Sequence, residues 1–213
     1  SDESRGLGDV YKRQGHVYAC FETPEELERK RKRQLARGKP PVYDRAGLAL
    51  SADEKAALEA EGRMAHWRFK LSGNQVAWRD LVRGEQKIDT ASVSDPVIRR
   101  ADGSWLYTLP SVVDDLDMNI SHVIRGEDHV TNTAAQVELI AALGGEVPEF
   151  AHFSLMLGAD GSGLSKRLGS LALADLRDGG LEPISLNAHI ARLGTADPVV
   201  PAQTMQEIID GFD

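Results

Sequence analysis

The chain has 213 residues, with 25 Lys and Arg against 33 Asp and Glu, which gives a formal net charge of −8. An apolar content of 41% with a charged content of 27% is typical of a folded globular protein and argues against disorder. The acidic balance argues against indiscriminate coating of nucleic acid, and the lack of a long apolar run predicts no membrane span. The single cysteine, Cys20, excludes an internal disulfide and predicts a cytoplasmic location.

The first fourteen residues differ from the rest of the chain. Ser4–Gln14 has neither a helical nor an alternating apolar period, and glycines interrupt it. One interpretation is a frayed N-terminus. The string also resembles a translated sequencing-library adapter. We therefore expect residues 1–14 to be a non-native leader, with natural sequence missing upstream of Gly15.

Two helices are predicted next, each from a capping box. Thr23 with Glu26 begins a helix that runs to about Gly38, and Ser51 with Glu54 begins a second that runs through Ala60. The first helix is rich in cations and has no acid in its second half. A solvated helix face and a contact with RNA or DNA phosphates both explain such a run. The cations are Arg29, Lys30, Arg31, Lys32, Arg33, Arg37 and Lys39.

The pattern then changes to short strands. His66–Lys70 and Val76–Arg79, with Ser72-Gly73-Asn74 between them, predict a β-hairpin. Asp102-Gly103 predicts a second hairpin-type turn, between Val97–Arg100 and Trp105–Tyr107.

From about Asp95 the chain alternates helices and buried strands. The sequence predicts part of a parallel α/β sheet, in which ligands lie at the carboxyl ends of the strands. Three further helices are expected after it, over Leu171–Arg177, Pro183–Leu193 and Ala202–Ile209. The elements of the α/β part are a helix over Leu109–Met118, a strand over His122–Gly126, a helix over Ala134–Leu143 and a strand over Phe150–Leu157.

Arg125 and Tyr107 are candidate binding residues near these strand ends. Arg125 ends an apolar strand, where a guanidinium can hold a carboxylate through two parallel hydrogen bonds. The alternative is an ion pair with Glu127 or Asp128. Tyr107 is either a core aromatic residue or a ligand contact.

A second candidate site follows the last predicted strand. Gly163-Leu164-Ser165-Lys166-Arg167 combines a flexible backbone, a hydroxyl donor and two cations, which suits phosphate oxygens, although it is not a Walker A loop. The alternative is an exposed turn. The histidines show no metal-ligand spacing, and no G-x-S-x-G motif indicates a nucleophilic triad.

Together these segments resemble the bacterial glutamyl-tRNA synthetase family. The resemblance covers about Gly15 to the C-terminus, and VIRGEDH with LSKR make it specific. The matching segments, in the order of the family, are Tyr18–Phe21 with Thr23–Leu27, Asp95–Arg100 with Asp102-Gly103, Tyr107–Asp115, His122–His129 and Gly163–Arg167.

The resemblance implies an α/β fold. It implies the second half of a class I Rossmann catalytic domain over residues 95–170, an inserted α+β acceptor-stem-binding domain over 15–94 and the start of a helical stem-contact domain over 171–213. The family's HIGH-type half, which completes the ATP site, has no counterpart here. We therefore expect the 213-residue chain alone to be inactive.

The activity implied is glutamate–tRNA ligation: L-glutamate is activated by ATP with Mg²⁺ and transferred to the 3′ end of tRNA(Glu). Gly163–Arg167 corresponds to the ATP-binding KMSKS-type loop, in which Lys166, with Ser165 and Arg167, stabilises the departing pyrophosphate. Gly163 replaces the first lysine of that motif. Arg125 corresponds to the arginine that selects the glutamate side-chain carboxylate, with Tyr107 beside it.

The resemblance also bears on partners and metals. Arg29–Arg33 would contact tRNA, and we expect a monomer. Some relatives bind zinc through Cys-x-Cys and later ligands, but here Cys20 is followed by Phe21-Glu22, and Ala46-Gly47 stand where a later ligand would be, so no zinc is expected. Two alternatives remain. One is a shortened, queuosine-directed paralogue, which attaches glutamate to a queuosine base in tRNA, and the other is a non-catalytic tRNA-binding remnant. A glutaminyl enzyme is disfavoured because Arg125 suits an acid.

Overall fold

The computed structural model describes residues 15–157, 161, 172–193, 195–196, 198, 200–201 and 204–211. The predicted leader, residues 1–14, and the predicted ATP-binding loop, Gly163–Arg167, lie outside these residues. The chain divides into two compact units, the first ending at Ser154 and the second beginning at Leu155. No helix in the described ranges is both long and apolar enough to cross a bilayer.

The first unit contains a three-stranded antiparallel sheet in the order β1-β2-β5. Three helices connect β1 to β2. Both predicted capping boxes are confirmed: the side chain of Thr23 accepts from the N–H of Glu26, and that of Ser51 accepts from the N–H of Glu54. The elements are β1 Val17–Cys20, α1 Pro24–Ala36, α2 Ala46–Ala49, α3 Ala52–Ala60, β2 His66–Phe69 and β5 Val97–Arg99.

The same unit contains a four-stranded mixed sheet in the order β4-β3-β7-β6. Strands β3, β7 and β6 run parallel, as the α/β pattern predicts for β6 and β7, and β4 is antiparallel to β3. The carboxyl ends of β6 and β7 are level, with Gly126 opposite Phe153, whereas β3 ends at Asp80, opposite Phe150. The strands are β3 Gln75–Asp80, β4 Gly84–Asp89, β6 His122–Gly126 and β7 Glu149–Phe153.

The predicted first hairpin is wrong. β2 and β3 lie in different sheets, because β2 pairs with β1 and β5 while β3 pairs with β4 and β7. The segment between them contains Leu71, which is fully buried in the core. Ser72 and Asn74 after it are exposed, so the Ser-Gly-Asn sequence does lie at the surface, but it leads from one sheet to the other instead of closing a hairpin. The second predicted turn is confirmed, with an antiparallel bridge between Arg99 and Trp105.

Two helices pack against each other beside the sheets. α4 spans Thr108–Asp117, close to its predicted bounds. α5 spans Val130–Ala142 and follows a 3₁₀ turn over Glu127–His129, so it begins four residues before the predicted Ala134. β2 pairs with β5 across the predicted division between residues 94 and 95, and both sides share one core. This core contains Val17, Phe69, Leu71, Ile98, Val112, Ala135, Leu139 and Ile140.

The described part of the second unit contains three helices. α6 spans Leu173–Asp178, α7 spans Pro183–Arg192 and α8 spans Met205–Asp210. The three helices that the sequence predicts in this region agree with these bounds to within a few residues. Pro183 occupies the first helical position of α7. A backbone N–H at that position has no carbonyl partner within the helix, so proline, which lacks the N–H, costs no hydrogen bond there.

Candidate functional site

Arg125 lies at the carboxyl-end edge of the parallel strands. It is the fourth residue of β6 and stands in register with His152 of the neighbouring strand β7. Its side chain is half-buried and passes over the ring of Phe150, 5.6 Å from the ring centroid. The strand register therefore brings the arginine predicted from sequence to the edge where ligands of α/β sheets bind.

Neutral acceptors hold the guanidinium of Arg125. Nε donates to Nε2 of His152 over 3.2 Å, and Nη2 donates to Oγ1 of Thr133 and to Oε1 of Gln136, each over 2.7 Å. Within the described ranges, no carboxylate lies within ion-pair distance of Arg125, and Nη1 has no hydrogen-bond partner. Asp115 interacts with the charge of Arg125 only from beyond ion-pair distance. Among the described contacts, Arg125 thus has no direct ion pair and keeps one amino group with two free donors, which suits an anionic ligand.

The alternative interpretation of Arg125, an ion pair with the next turn, is wrong. Glu127 instead pairs with Arg83, which follows β3. Asp128 lies 3.8 Å from the ring of His129. The 3₁₀ turn that follows β6 directs both acids away from the arginine.

Behind Arg125 lies a buried pair formed by Asp80, the last residue of β3, and His152. Oδ2 of Asp80 is 2.5 Å from Nδ1 of His152, and the two residues are 1% and 0% exposed. Oδ1 of Asp80 accepts from the backbone N–H groups of His152, Val82 and Arg83. Burial by itself would raise the pKa of Asp80, but the bond to His152 and the three backbone donors outweigh it and lower that pKa.

Four residues of this network escape prediction from sequence: Asp80, His152, Thr133 and Gln136. Asp80 and His152 lie on strands that carry other polar residues, Thr133 and Gln136 lie on α5, and 72 positions separate Asp80 from His152, so no local signal marks them. Their contact depends on strand order, which local periodicity does not reveal.

Tyr107 lies at the start of α4, beside the same network. Its side chain is 57% exposed, so the interpretation as a core aromatic residue is wrong. Its ring centroid is 5.9 Å from that of His129, whose carbonyl accepts from Oγ1 of Thr133. Gln136 also donates to Oγ of Ser111, in the first turn of α4. Tyr107 and Arg125 therefore belong to elements tied together by these side chains.

The predicted tRNA-binding cations differ in their environments. Lys30 is half-buried and forms ion pairs with Glu22 and Asp44, over 3.1 and 3.0 Å, so it joins parts of the fold. Arg31 and Lys32 both approach Glu28 on the helix surface. Arg29 and Arg33 are exposed, lie one turn apart on α1 and have no ion-pair partner in the described part of the chain.

Cys20, Glu22 and His66 bring one possible ligand atom each to within 4.8 Å of one another, the one such cluster in the described residues. Burial raises the pKa of the Cys20 thiol, which disfavours the thiolate that zinc requires. Burial and the cation of Arg68 lower the pKa of His66. Oε1 of Glu22 already accepts from Lys30 and Tyr43. Oε2 of Glu22 and Nε2 of His66 are buried without a hydrogen-bond partner among the described residues. Three candidate ligands with a single thiol are still fewer than the four of a closed structural zinc site, and the absence of zinc stays a prediction.

Comparison with known proteins gives a consistent result. Residues 9–212 match the family described as tRNA synthetases class I (E and Q), catalytic domain. Glutamate–tRNA ligase 1 of Maricaulis maris is 55% identical over 213 residues, which is 100% of this chain and 48% of the relative. Glutamate–tRNA ligase 2 of Hyphomonas neptunium is 58% identical over 196 residues, 92% of this chain and 44% of the relative.

A solved structure is similar as well. The glutamate tRNA ligase from Elizabethkingia meningosepticum, crystallised in complex with its amino acid, matches with a TM-score of 0.77 and 30% identity, over 100% of this chain and 48% of the other. The chain thus spans about half the length of the curated relatives it matches. The chain belongs to the family of class I tRNA synthetases for glutamate and glutamine, as part of their catalytic domain.

Proposed function

We propose that this chain supplies the glutamate-binding part of a glutamate–tRNA ligase, which activates L-glutamate with ATP and transfers it to the 3′ end of tRNA(Glu). One observation carries this proposal: Arg125 stands at the ligand edge of the sheet, held by neutral groups and without a carboxylate partner in the described part of the chain. The names of the relatives support the same reaction.

The geometry of Arg125 accounts for selection of an acid. A side-chain carboxylate accepts hydrogen bonds from the two free N–H groups of Nη1 and neutralises the guanidinium. The amide of glutamine carries no charge, so the cation would stay unneutralised in a half-buried site. The exposed ring of Tyr107, beside the same network, would close the other side of the substrate.

The energy-coupling step is assigned to Gly163–Arg167. Adenylate formation releases pyrophosphate, and negative charge grows on that leaving group in the transition state. The ammonium of Lys166 would stabilise this charge together with Mg²⁺ carried by ATP, with Ser165 and Arg167 contacting the phosphates. The family match, which extends through these residues, supports the assignment.

The remaining parts of the chain are assigned to tRNA. Residues 15–94 would form the acceptor-stem-binding insertion, with β3 and β4 extending the sheet of the catalytic half, and 171–213 the beginning of a helical stem-contact domain. Among the five predicted tRNA-binding cations, Arg29–Arg33, the best phosphate ligands are Arg29 and Arg33, because both are exposed and neither has an ion-pair partner in the described structure. We infer a cytoplasmic monomer.

Two pairs of variants test the binding of tRNA phosphates. Replacing Arg29 and Arg33 by glutamine should weaken tRNA binding. It should also reduce the slope of log binding constant against log salt concentration by about one for each phosphate that is no longer neutralised. Replacing Arg31 and Lys32, which approach Glu28, is the matched control and should change the slope less. Equal slopes for the two pairs would refute the assignment to Arg29 and Arg33.

The test of glutamate recognition uses a completed enzyme, in which this chain is joined to the flanking regions of the Maricaulis maris relative. Arg125→Ala should raise the KM for glutamate about 100-fold or more while leaving the KM for ATP within about threefold, because it removes a charged hydrogen-bonding partner. Arg177→Ala, at an exposed site in α6, is the control. An unchanged KM for glutamate in Arg125→Ala would refute the proposal.

A further inference from the structure

We propose that Asp80 and His152 are positioning residues that set the direction in which Arg125 presents its free amino group to the substrate. This rests on the proposed function, in which Arg125 binds the glutamate side chain. The pair itself does not touch the substrate. It acts by fixing which nitrogen of His152 carries the proton.

The tautomer of His152 follows from its two neighbours. Nε of arginine is always a donor, so Nε2 of His152, 3.2 Å away, must be the acceptor. The proton then lies on Nδ1 and points at Oδ2 of Asp80, 2.5 Å away. The hydroxyl of Thr133, whose Oγ1 is 3.0 Å from Nε2, donates its hydrogen bond either to Nε2 or to the carbonyl oxygen of His129. Both arrangements keep Nε2 as an acceptor.

The pair is anchored tightly enough to hold the ring in place. Neither residue is more than 1% exposed, so no solvent competes for these atoms. Oδ1 of Asp80 is fixed by three backbone donors, from Val82, Arg83 and His152. The carboxylate therefore has a set orientation, and the imidazole between it and Arg125 has one favourable tautomer.

This arrangement determines the orientation of the guanidinium. His152 fixes the Nε edge, while Thr133 and Gln136 hold both N–H groups of Nη2. Among the hydrogen bonds of the described residues, those to Arg125 leave Nη1 for the ligand, in one direction. If the proton of His152 moved to Nε2, two donors would face each other and the arginine would swing away from its set position. Binding of the substrate carboxylate depends on that position, because charged hydrogen bonds need short, aligned contacts.

The alternative role of the pair is structural, because Asp80 and His152 also join β3 to β7. A matched pair of substitutions separates the two roles. His152→Gln can still offer a carbonyl oxygen near the position of Nε2, whereas His152→Asn is too short and can only replace Nδ1 toward Asp80. Both substitutions remove the ring, so both should lower Tm by similar amounts.

The experiment measures aminoacylation by the completed enzyme with each variant. We expect His152→Asn to raise the KM for glutamate about tenfold or more, as substitutions behind a binding group commonly do, with the KM for ATP unchanged. His152→Gln should stay within about threefold of the parent. Asp80→Asn, whose amide allows the wrong tautomer of His152, should also raise the KM for glutamate about tenfold.

A double-substitution cycle completes the test. Adding His152→Asn to Arg125→Ala should give no further rise in the KM for glutamate, because the positioned group is already absent. Additive effects, or equal KM values for His152→Asn and His152→Gln, would overturn the positioning role and leave a structural one. If Arg125→Ala itself leaves the KM for glutamate unchanged, the proposed function fails, and the positioning role fails with it.

Discussion

Removing the buried carboxylate of Asp80 should destabilise the chain severely. Asp80 accepts four hydrogen bonds, two from His152 and one each from the backbone of Val82 and Arg83. Val82 is half-exposed, so the backbone donors near it can turn to water, but the ring and backbone donors of His152 cannot. At about 1–3 kcal/mol for each buried donor left unpaired, Asp80→Ala should reduce the free energy of unfolding by about 2–6 kcal/mol.

The assay is urea unfolding of the 213-residue chain, followed by tryptophan fluorescence at constant pH and salt. Asp117→Ala is the control, because Asp117 is exposed at the end of α4 and its removal should change the free energy of unfolding by less than about 0.5 kcal/mol. An Asp80→Ala variant within about 1 kcal/mol of the parent, with an unchanged m-value, would show that the carboxylate does not anchor the site.

Three further predictions concern other parts of the chain. Cys20 is fully buried and burial raises its thiol pKa, so iodoacetamide at about pH 8 should modify it only after unfolding; rapid labelling of the folded chain would contradict this. Gly47→Ala should lower the free energy of unfolding by about 1–3 kcal/mol, because a new Cβ would lie 2.6 Å from the backbone oxygen of Ala19; urea midpoints equal to those of the parent would refute the clash. The protein purified without chelator should contain less than about 0.1 zinc per chain by mass spectrometry, because the surroundings of Cys20 do not fit a closed site; one zinc per chain, absent from Cys20→Ser, would contradict this.

Local signals in the sequence predict single elements well. The strand His122–Gly126 has the predicted bounds, and both capping boxes form, because such elements depend on apolar periodicity and on side chains three positions apart. The local sequence does not predict which strands pair with each other. The hairpin predicted across Ser72–Asn74 is absent because β2 and β3 find partners in separate sheets, and the propensity of the intervening residues carries no information on those partners.

In the candidate site, too, the sequence predicts a single residue but not the residues that contact it. The sequence singles out Arg125 because it ends an apolar strand, and the structure leaves it without an acid partner in the described ranges. The groups that hold it come from β7 and α5, and the carboxylate behind His152 comes from β3. Those contacts arise from sheet order and helix packing over long sequence separations, so no local motif predicts them.

A crystal structure of the completed enzyme with L-glutamate tests the central claim most directly. We expect an oxygen of the substrate side-chain carboxylate within about 2.7–2.9 Å of Nη1 of Arg125, the range for charge-assisted hydrogen bonds, with the bond from Nε to His152 retained. A side-chain carboxylate bound elsewhere, or an Arg125 paired with an acid of the protein itself, would contradict the account.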